Sequence, residues 1–277
     1  MGDNKFNLYN IKLLMINPDK FRNYTNDLPD VIECYKDQRK YQSLDFYDYA
    51  INKYCKFERK ASFWELFDKL STFVDLSDPD TNLSNHQHLY QTAEAIRNDG
   101  LPEWMQIVGL IHDLGKLIYV MGNDQDGTSM KKQWGIVGDT FILGCQIPEE
   151  IVYPEFNKLN QHYNQTKLGI YQENCGFDKL KCSFGHDEYL YRMLKFNKIP
   201  LPDEAYYIIR YHSLYLWHSY NQYTYFENET DKKMKPWISK FQKYDLYTKS
   251  PKKVNEKDAK KYYDNLIKKY FPTIIYY

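Results

Sequence analysis

The feature that most constrains this chain is an apolar stretch from Pro102 to Val120 with charge at its centre. Apolar residues at Trp104, Ile107, Val108, Ile111, Leu114 and Ile118 fall on one helical face. The turn signal Asn98-Asp99-Gly100 precedes them, and Pro102 suits a first helical turn. This predicts a helix over 102–120. Such a helix belongs in a core, yet His112-Asp113 sits in its middle. An ionised Asp there needs a partner, because a lone buried charge is costly. A bound metal is one partner, and neutral imidazole is the commonest metal ligand. A hydrogen-bonded structural pair is the other reading. The dipeptide recurs as His186-Asp187, so it decides nothing alone.

The rest of the chain reads as helical too. Helices are expected over Phe46 to Val74, His88 to Arg97, His186 to Phe196, Pro202 to Trp217 and, behind Pro236, Trp237 to Tyr247. Alternating strand patterns are scarce, so the expected fold is all-α. No repeat or Gly/Ser linker divides the 277 residues. The expectation is a flexible N-terminal arm over 1–25 and one catalytic domain over 26–277. The polar segment Gly122 to Gln133 reads as a mobile surface loop.

Composition excludes several classes. The net charge is zero and the pI is near 7.0, which gives no reason to expect a nucleic-acid partner. The basic stretch from Lys249 to Lys269 reads as solvated surface. Five Cys without a Cys-x-x-Cys pair support neither a zinc finger nor a redox motif, and fit reduced thiols in the cytosol. The polar N-terminus is unlike a signal peptide, and no apolar stretch is long enough to span a bilayer. The expected location is cytoplasmic, and the expected state a monomer.

Only seven His are present. His88 starts a predicted helix upstream of His112-Asp113, and Asp245 lies near the end of another downstream. The order His…His-Asp…Asp on separate helices is that of the HD-domain superfamily. His186 and His212 lie on intervening helices. Four imidazoles and two carboxylates suit iron, manganese or zinc, and disfavour a thiolate-selected metal. The two oxygens of Asp113 allow it to bridge two metals. Lys116, four residues after His112 and three after Asp113, shares their side of the helix. On spacing alone it either reaches over the site or snorkels to solvent.

The chain closely resembles the myo-inositol oxygenase family from about Phe21 onward. The resemblance is carried by Phe21-Arg22-Asn23-Tyr24, His88-x-x-Gln91-Thr92-Ala93-Glu94, Gly109-Leu110-Ile111-His112-Asp113-Leu114-Gly115-Lys116, Val137-Gly138-Asp139-Thr140-Phe141, Gly185-His186-Asp187-Glu188-Tyr189, Lys195-Phe196-Asn197-Lys198, Arg210-Tyr211-His212-Ser213 and Asp245-Leu246-Tyr247-Thr248-Lys249. It implies an HD-domain-like helical fold with a di-iron centre. Two iron ions (Fe2+/Fe3+) would be held per chain, one by His88, His112, Asp113 and Asp245, the other by Asp113, His186 and His212. Of the two His-Asp pairs, only His112-Asp113 is expected to bind through both residues.

The resemblance further implies substrate contacts at Arg22, Asp75, Ser77, Lys116, Gly138, Asp139, His212 and Ser213, with Lys249 a weaker candidate, and catalytic roles for Lys116 and Asp113. The implied reaction opens the myo-inositol ring with dioxygen to give D-glucuronate. Two departures from the family pattern stand out. Leu76 replaces an acidic residue beside Asp75, and the loop between Lys116 and Gly138 is several residues longer. The alternative on the same scaffold is an HD-domain metal-dependent phosphohydrolase.

Overall fold

A computed structural model describes residues 28–78, 84–247 and 253–277. The expected arm over 1–25, with Arg22, lies outside the described residues, as does Lys249. Ten α-helices are described: α1 (Pro29–Tyr41), α2 (Leu44–Tyr54), α3 (Phe63–Lys69), α4 (Asn85–Asn98), α5 (Glu103–Ile111), α6 (His186–Phe196), α7 (Asp203–Tyr211), α8 (Tyr215–His218), α9 (Glu229–Tyr247) and α10 (Glu256–Tyr270). Among the described residues the only sheet is an antiparallel pair, β1 (Lys60–Ala61) with β2 (Ile275–Tyr276). The expected all-α class is the observed one. No described helix is long and apolar enough to cross a membrane.

The core is contiguous and centres on α5, whose Met105, Ile107, Val108, Leu110 and Ile111 are fully buried. Helix α4 packs along α5, and α6, α7 and α9 close around them. Gly109 permits the approach of α4, since a Cβ there would lie 2.9 Å from the Ala93 Cα. Helices α6 and α7 are tied by buried Glu188, which accepts from Arg210 Nε at 2.7 Å, Arg192 Nε at 2.7 Å and Tyr47 OH at 2.9 Å.

Several expected boundaries are corrected, each by a local cause. The helix expected over Phe46 to Val74 is broken. It ends at Tyr54, Phe57 takes a left-handed φ of 51°, and β1 intervenes. The chain re-enters a helix at Phe63 through a capping box between Ser62 and Glu65. The helix expected over 102–120 stays α-helical only to Ile111 and tightens to 3-10 over Leu114–Val120. The helix expected over Pro202 to Trp217 breaks at His212 and resumes as α8. The last expected helix starts not at Trp237 but at Glu229, behind a reciprocal Asn228–Asp231 cap, with Pro236 inside it.

The segment Gly122 to Gln133 is packed rather than a free surface loop. Asp126 is buried and accepts from Tyr54 OH at 2.7 Å, Lys53 Nζ at 2.8 Å and the Thr128 hydroxyl. Burial alone would raise its pKa, but the Lys53 ammonium and the two hydroxyls hold it below the usual carboxylate value. A depressed carboxylate stabilises the fold above its unfolded pKa of about 3.9, and that contribution is lost as pH falls through the folded value. Asp126→Asn is therefore expected to cost about 1.5–3 kcal/mol at pH 7. The difference from wild type should shrink below about pH 4. Urea unfolding midpoints across this range check both parts.

Candidate metal centre and substrate cavity

Four helix termini deliver four imidazoles to one buried point. His112 caps the C-terminus of α5 and His212 that of α7. Each places its Nδ1 3.0 Å from the carbonyl three residues back, Gly109 and Ile209 respectively. His186 opens α6, with both its backbone N and its Nδ1 on the Ile136 carbonyl, at 2.9 and 2.7 Å. A carbonyl accepts only, so in all three rings Nδ1 carries the proton that it donates. In the neutral ring Nε2 is then left as a lone pair.

Those Nε2 atoms converge. His88 and His112 lie 3.2 Å apart through Nε2, and Asp245 Oδ1 lies 3.0 and 3.2 Å from them. His186 and His212 lie 3.3 Å apart in the same way. Asp113 stands between the two pairs. Its Oδ2 is 4.0 Å from His88 Nε2 and 3.7 Å from His112 Nε2, while its Oδ1 is 3.2 Å from His186 Nε2 and 3.9 Å from His212 Nε2. Lone pairs that face one another at such distances require a cation between them. The nitrogen/oxygen donor set therefore fits metal binding.

The electrostatics agree. Burial would raise the carboxyls of Asp113 and Asp245, but Lys116 and the imidazoles hold Asp113 well below the usual range, and His112 and His88 do so for Asp245. Burial pushes His112 down. It would do the same to His186, but Asp187 and Asp113 reverse the effect and hold that imidazole at about 10. His212 is raised for the same reason. The centre thus demands positive charge, supplied by protons or by metal.

Beside it lies a cavity of about 110 Å³. The expected contacts Asp75, Ser77, Lys116, Gly138, Asp139, His212 and Ser213 all line it, as do Asp113, His88, His186 and Asp245. Lys116 Nζ bonds Asp75 Oδ2 at 2.7 Å and Asp113 Oδ2 at 2.8 Å. Burial favours the neutral amine, yet these two carboxylates hold Lys116 charged, above its ordinary pKa. The snorkelling reading of Lys116 is thereby excluded, since the side chain is buried. Ser77 donates to Asp75 Oδ1 from its backbone N at 2.8 Å and its Oγ at 2.7 Å. Asp139 accepts from Tyr35 OH at 3.2 Å. Gly138 takes a φ of 96°, which favours glycine, and a Cβ there would also lie 2.8 Å from Gln38 Nε2, so that side chain would have to shift.

Two residues of the site depart from the sequence reading: Asp187, expected to stand outside the ligand set, groups with His186 and His212, and Tyr35 was not picked out. Asp187 brings a third carboxylate, with Oδ1 2.7 Å from His186 Nε2 and 3.4 Å from His212 Nε2. Ser213 Oγ donates to it at 3.2 Å and Thr140 Oγ1 at 3.4 Å. The second His-Asp pair was a signal for it. The other is Tyr35, which lines the cavity from α1 and had no motif to mark it.

The fold and the donor set define the class: an all-α protein built round a buried His/Asp centre able to bind metal. A family profile described as Myo-inositol oxygenase matches residues 28–277. The inositol oxygenase of Dictyostelium discoideum is 41% identical over 271 residues, covering 94% of this chain and 90% of its own. That of Bos taurus is 40% identical over 266 residues, covering 93% and 90%. That of Homo sapiens is 39% identical over 267 residues, covering 92% and 90%. The chain belongs to the myo-inositol oxygenase family.

The spacing of the centre depends on Gly115, where a Cβ would lie 2.0 Å from the His186 carbonyl oxygen. Gly115→Ala must push α6 off the 3-10 segment and His186 away from Asp113. The expected cost is about 3 kcal/mol or more, with bound metal released. Unfolding midpoints and metal analysis test this, and an unchanged metal content would show that the backbone of α6 yields without moving the ring.

Proposed function

We propose that this chain is an inositol oxygenase that opens the myo-inositol ring with dioxygen to D-glucuronate, with two iron ions as its resident metals. The observation that carries the reading is Asp113, whose two carboxylate oxygens face two separate imidazole pairs. In this reading His88, His112 and Asp245 would hold one metal, His186 and His212 the other, and Asp113 would serve both. When bound, the metals supply redox capacity toward dioxygen and Lewis acidity toward an alcohol oxygen.

The chain's own residues position the substrate. Asp75 and Asp139 accept from ring hydroxyls, and Ser213, whose hydroxyl hydrogen goes to Asp187, accepts from one more. Lys116, kept charged by two carboxylates, acts as a fixed cation that orients a substrate oxygen. Such buried polar groups reject an epimer strongly, because a misplaced hydroxyl leaves them unpaired. Asp187 anchors the Ser213 and Thr140 hydroxyls behind the His186–His212 pair. We place the enzyme in the cytoplasm as a monomer.

Oxygen uptake with myo-inositol under reducing conditions, followed by detection of glucuronate, tests the reading. Phosphate release from phosphomonoesters without oxygen uptake would instead establish the phosphohydrolase alternative. Asp113→Ala is expected to lose both metals and all turnover, and metal analysis showing wild-type iron would remove its bridging role. Lys116→Ala is expected to keep iron while KM or kcat worsens about tenfold to a hundredfold, the range for one hydrogen bond to a charged group. Unchanged kinetics would take Lys116 out of the site.

A further inference from the structure

We propose that Gln133 is a positioning residue for substrate binding, acting through Asp75, and that it makes the packed 122–133 segment part of the binding site. The inference rests on the inositol reading above.

Gln133 is buried, with 2% of its surface exposed. Its side-chain carbonyl accepts the Leu76 backbone N–H at 3.0 Å, and its amide donates to the Val74 carbonyl at 2.8 Å. One side chain thus grips the backbone on both sides of Asp75. The amide also donates to the Met130 carbonyl at 3.0 Å, which fixes the Gln133 side chain against its own loop. The segment 74–78 has no helix or strand of its own to hold it. Asp75 in turn bonds Lys116, and Lys116 bonds Asp113. A displacement of the Asp75 backbone therefore moves an acceptor, and through Lys116 a charge, at the cavity wall.

The backbone of Gln133 has a separate task. Its carbonyl accepts from Ile136 N at 2.8 Å and Val137 N at 3.0 Å, which forms the turn leading to Gly138 and Asp139. The Ile136 carbonyl of that turn accepts from His186. Changing the side chain leaves this backbone turn its hydrogen bonds, so the grip on Asp75 is separable from the metal centre.

The test is a double-mutant cycle on the full-length, iron-loaded enzyme. Gln133→Met removes all three side-chain hydrogen bonds at similar volume. The expected result is a KM for myo-inositol raised about tenfold, with kcat within about threefold and iron content unchanged. In an Asp75→Ala background the same substitution should change KM less than about twofold, because its effect passes through Asp75. Equal effects of Gln133→Met in both backgrounds would overturn the proposal, as would an unaltered KM. If the Met variant does not fold, Gln133→Asn serves: its amide is one methylene too short to reach Leu76 N–H and the Val74 carbonyl together, and it should raise KM in the wild-type background and change it less than about twofold without Asp75. Absence of inositol turnover in the wild type would instead refute the functional reading, and the two failures are thereby distinct.

Discussion

The structure depends on one shared carboxylate. Asp113 is buried among four imidazoles and two further carboxylates, Asp187 and Asp245, and its two oxygens point to different histidine pairs. Taking such a group out of water costs several kcal/mol unless positive charge stands beside it. Lys116 supplies one charge, bonded to Asp113 and Asp75 together. It cannot balance all the acidic groups near it. The remaining demand calls for positive charge at the Nε2 atoms, from protons or from metal, and so the centre is able to bind metal by electrostatics as well as by donor type.

The helix ends follow from this demand. His112 and His212 each stand at the last turn of a helix, where unsatisfied carbonyls are available to take Nδ1–H and aim Nε2 inward. After Asp113 the chain tightens to 3-10, in which side chains three apart eclipse one another. Asp113 and Lys116 are three apart, and the ammonium therefore meets Asp113 Oδ2 at 2.8 Å. An unbroken helix over 102–120 would stagger that pair. Helix α9 joins the arrangement through Gln242, which donates to the His212 carbonyl at 2.5 Å, three residues before Asp245. The second histidine pair and the terminal carboxylate of the first are thus held in register by the same helix.

The His and Asp residues of the centre are legible as candidates because each lies in, or directly at the end of, a helix with an apolar face. The bounds His186 to Phe196 were read correctly, since Gly185 and Asn197 flank a strongly amphipathic run. The breaks were harder to read. Ser62-x-x-Glu65 and Asn228-x-x-Asp231 both announce helix starts, but the apolar pattern runs through the first and Pro236 distracts from the second. The packing of 122–133 was not legible at all. Its anchor, Asp126, is satisfied by Lys53 and Tyr54 some seventy positions earlier, and composition records only that the segment is polar. Asp187 was visible as a residue but not as a neighbour of His212. Its rotamer at the first turn of α6 is set by Ser213 and Thr140, which no local pattern connects to it.

The cavity walls also bear on the choice between a neutral and an anionic substrate. Asp75, Asp78, Asp113, Asp139 and Asp245 line the cavity, and Lys116, the one Lys or Arg among its described lining residues, is already paired with two of these carboxylates. Two like charges 4 Å apart repel by about 4 kcal/mol at an effective dielectric constant near 20. Asp78 and Asp139, which are neither paired with Lys116 nor in the expected ligand set, would oppose a phosphate monoester, and among the described residues no guanidinium lines the cavity. A polyol meets the opposite situation. Each hydroxyl donates a hydrogen bond, and carboxylates are the strongest acceptors a side chain offers. The acceptor-rich wall above the centre therefore suits a neutral, hydroxyl-rich ring.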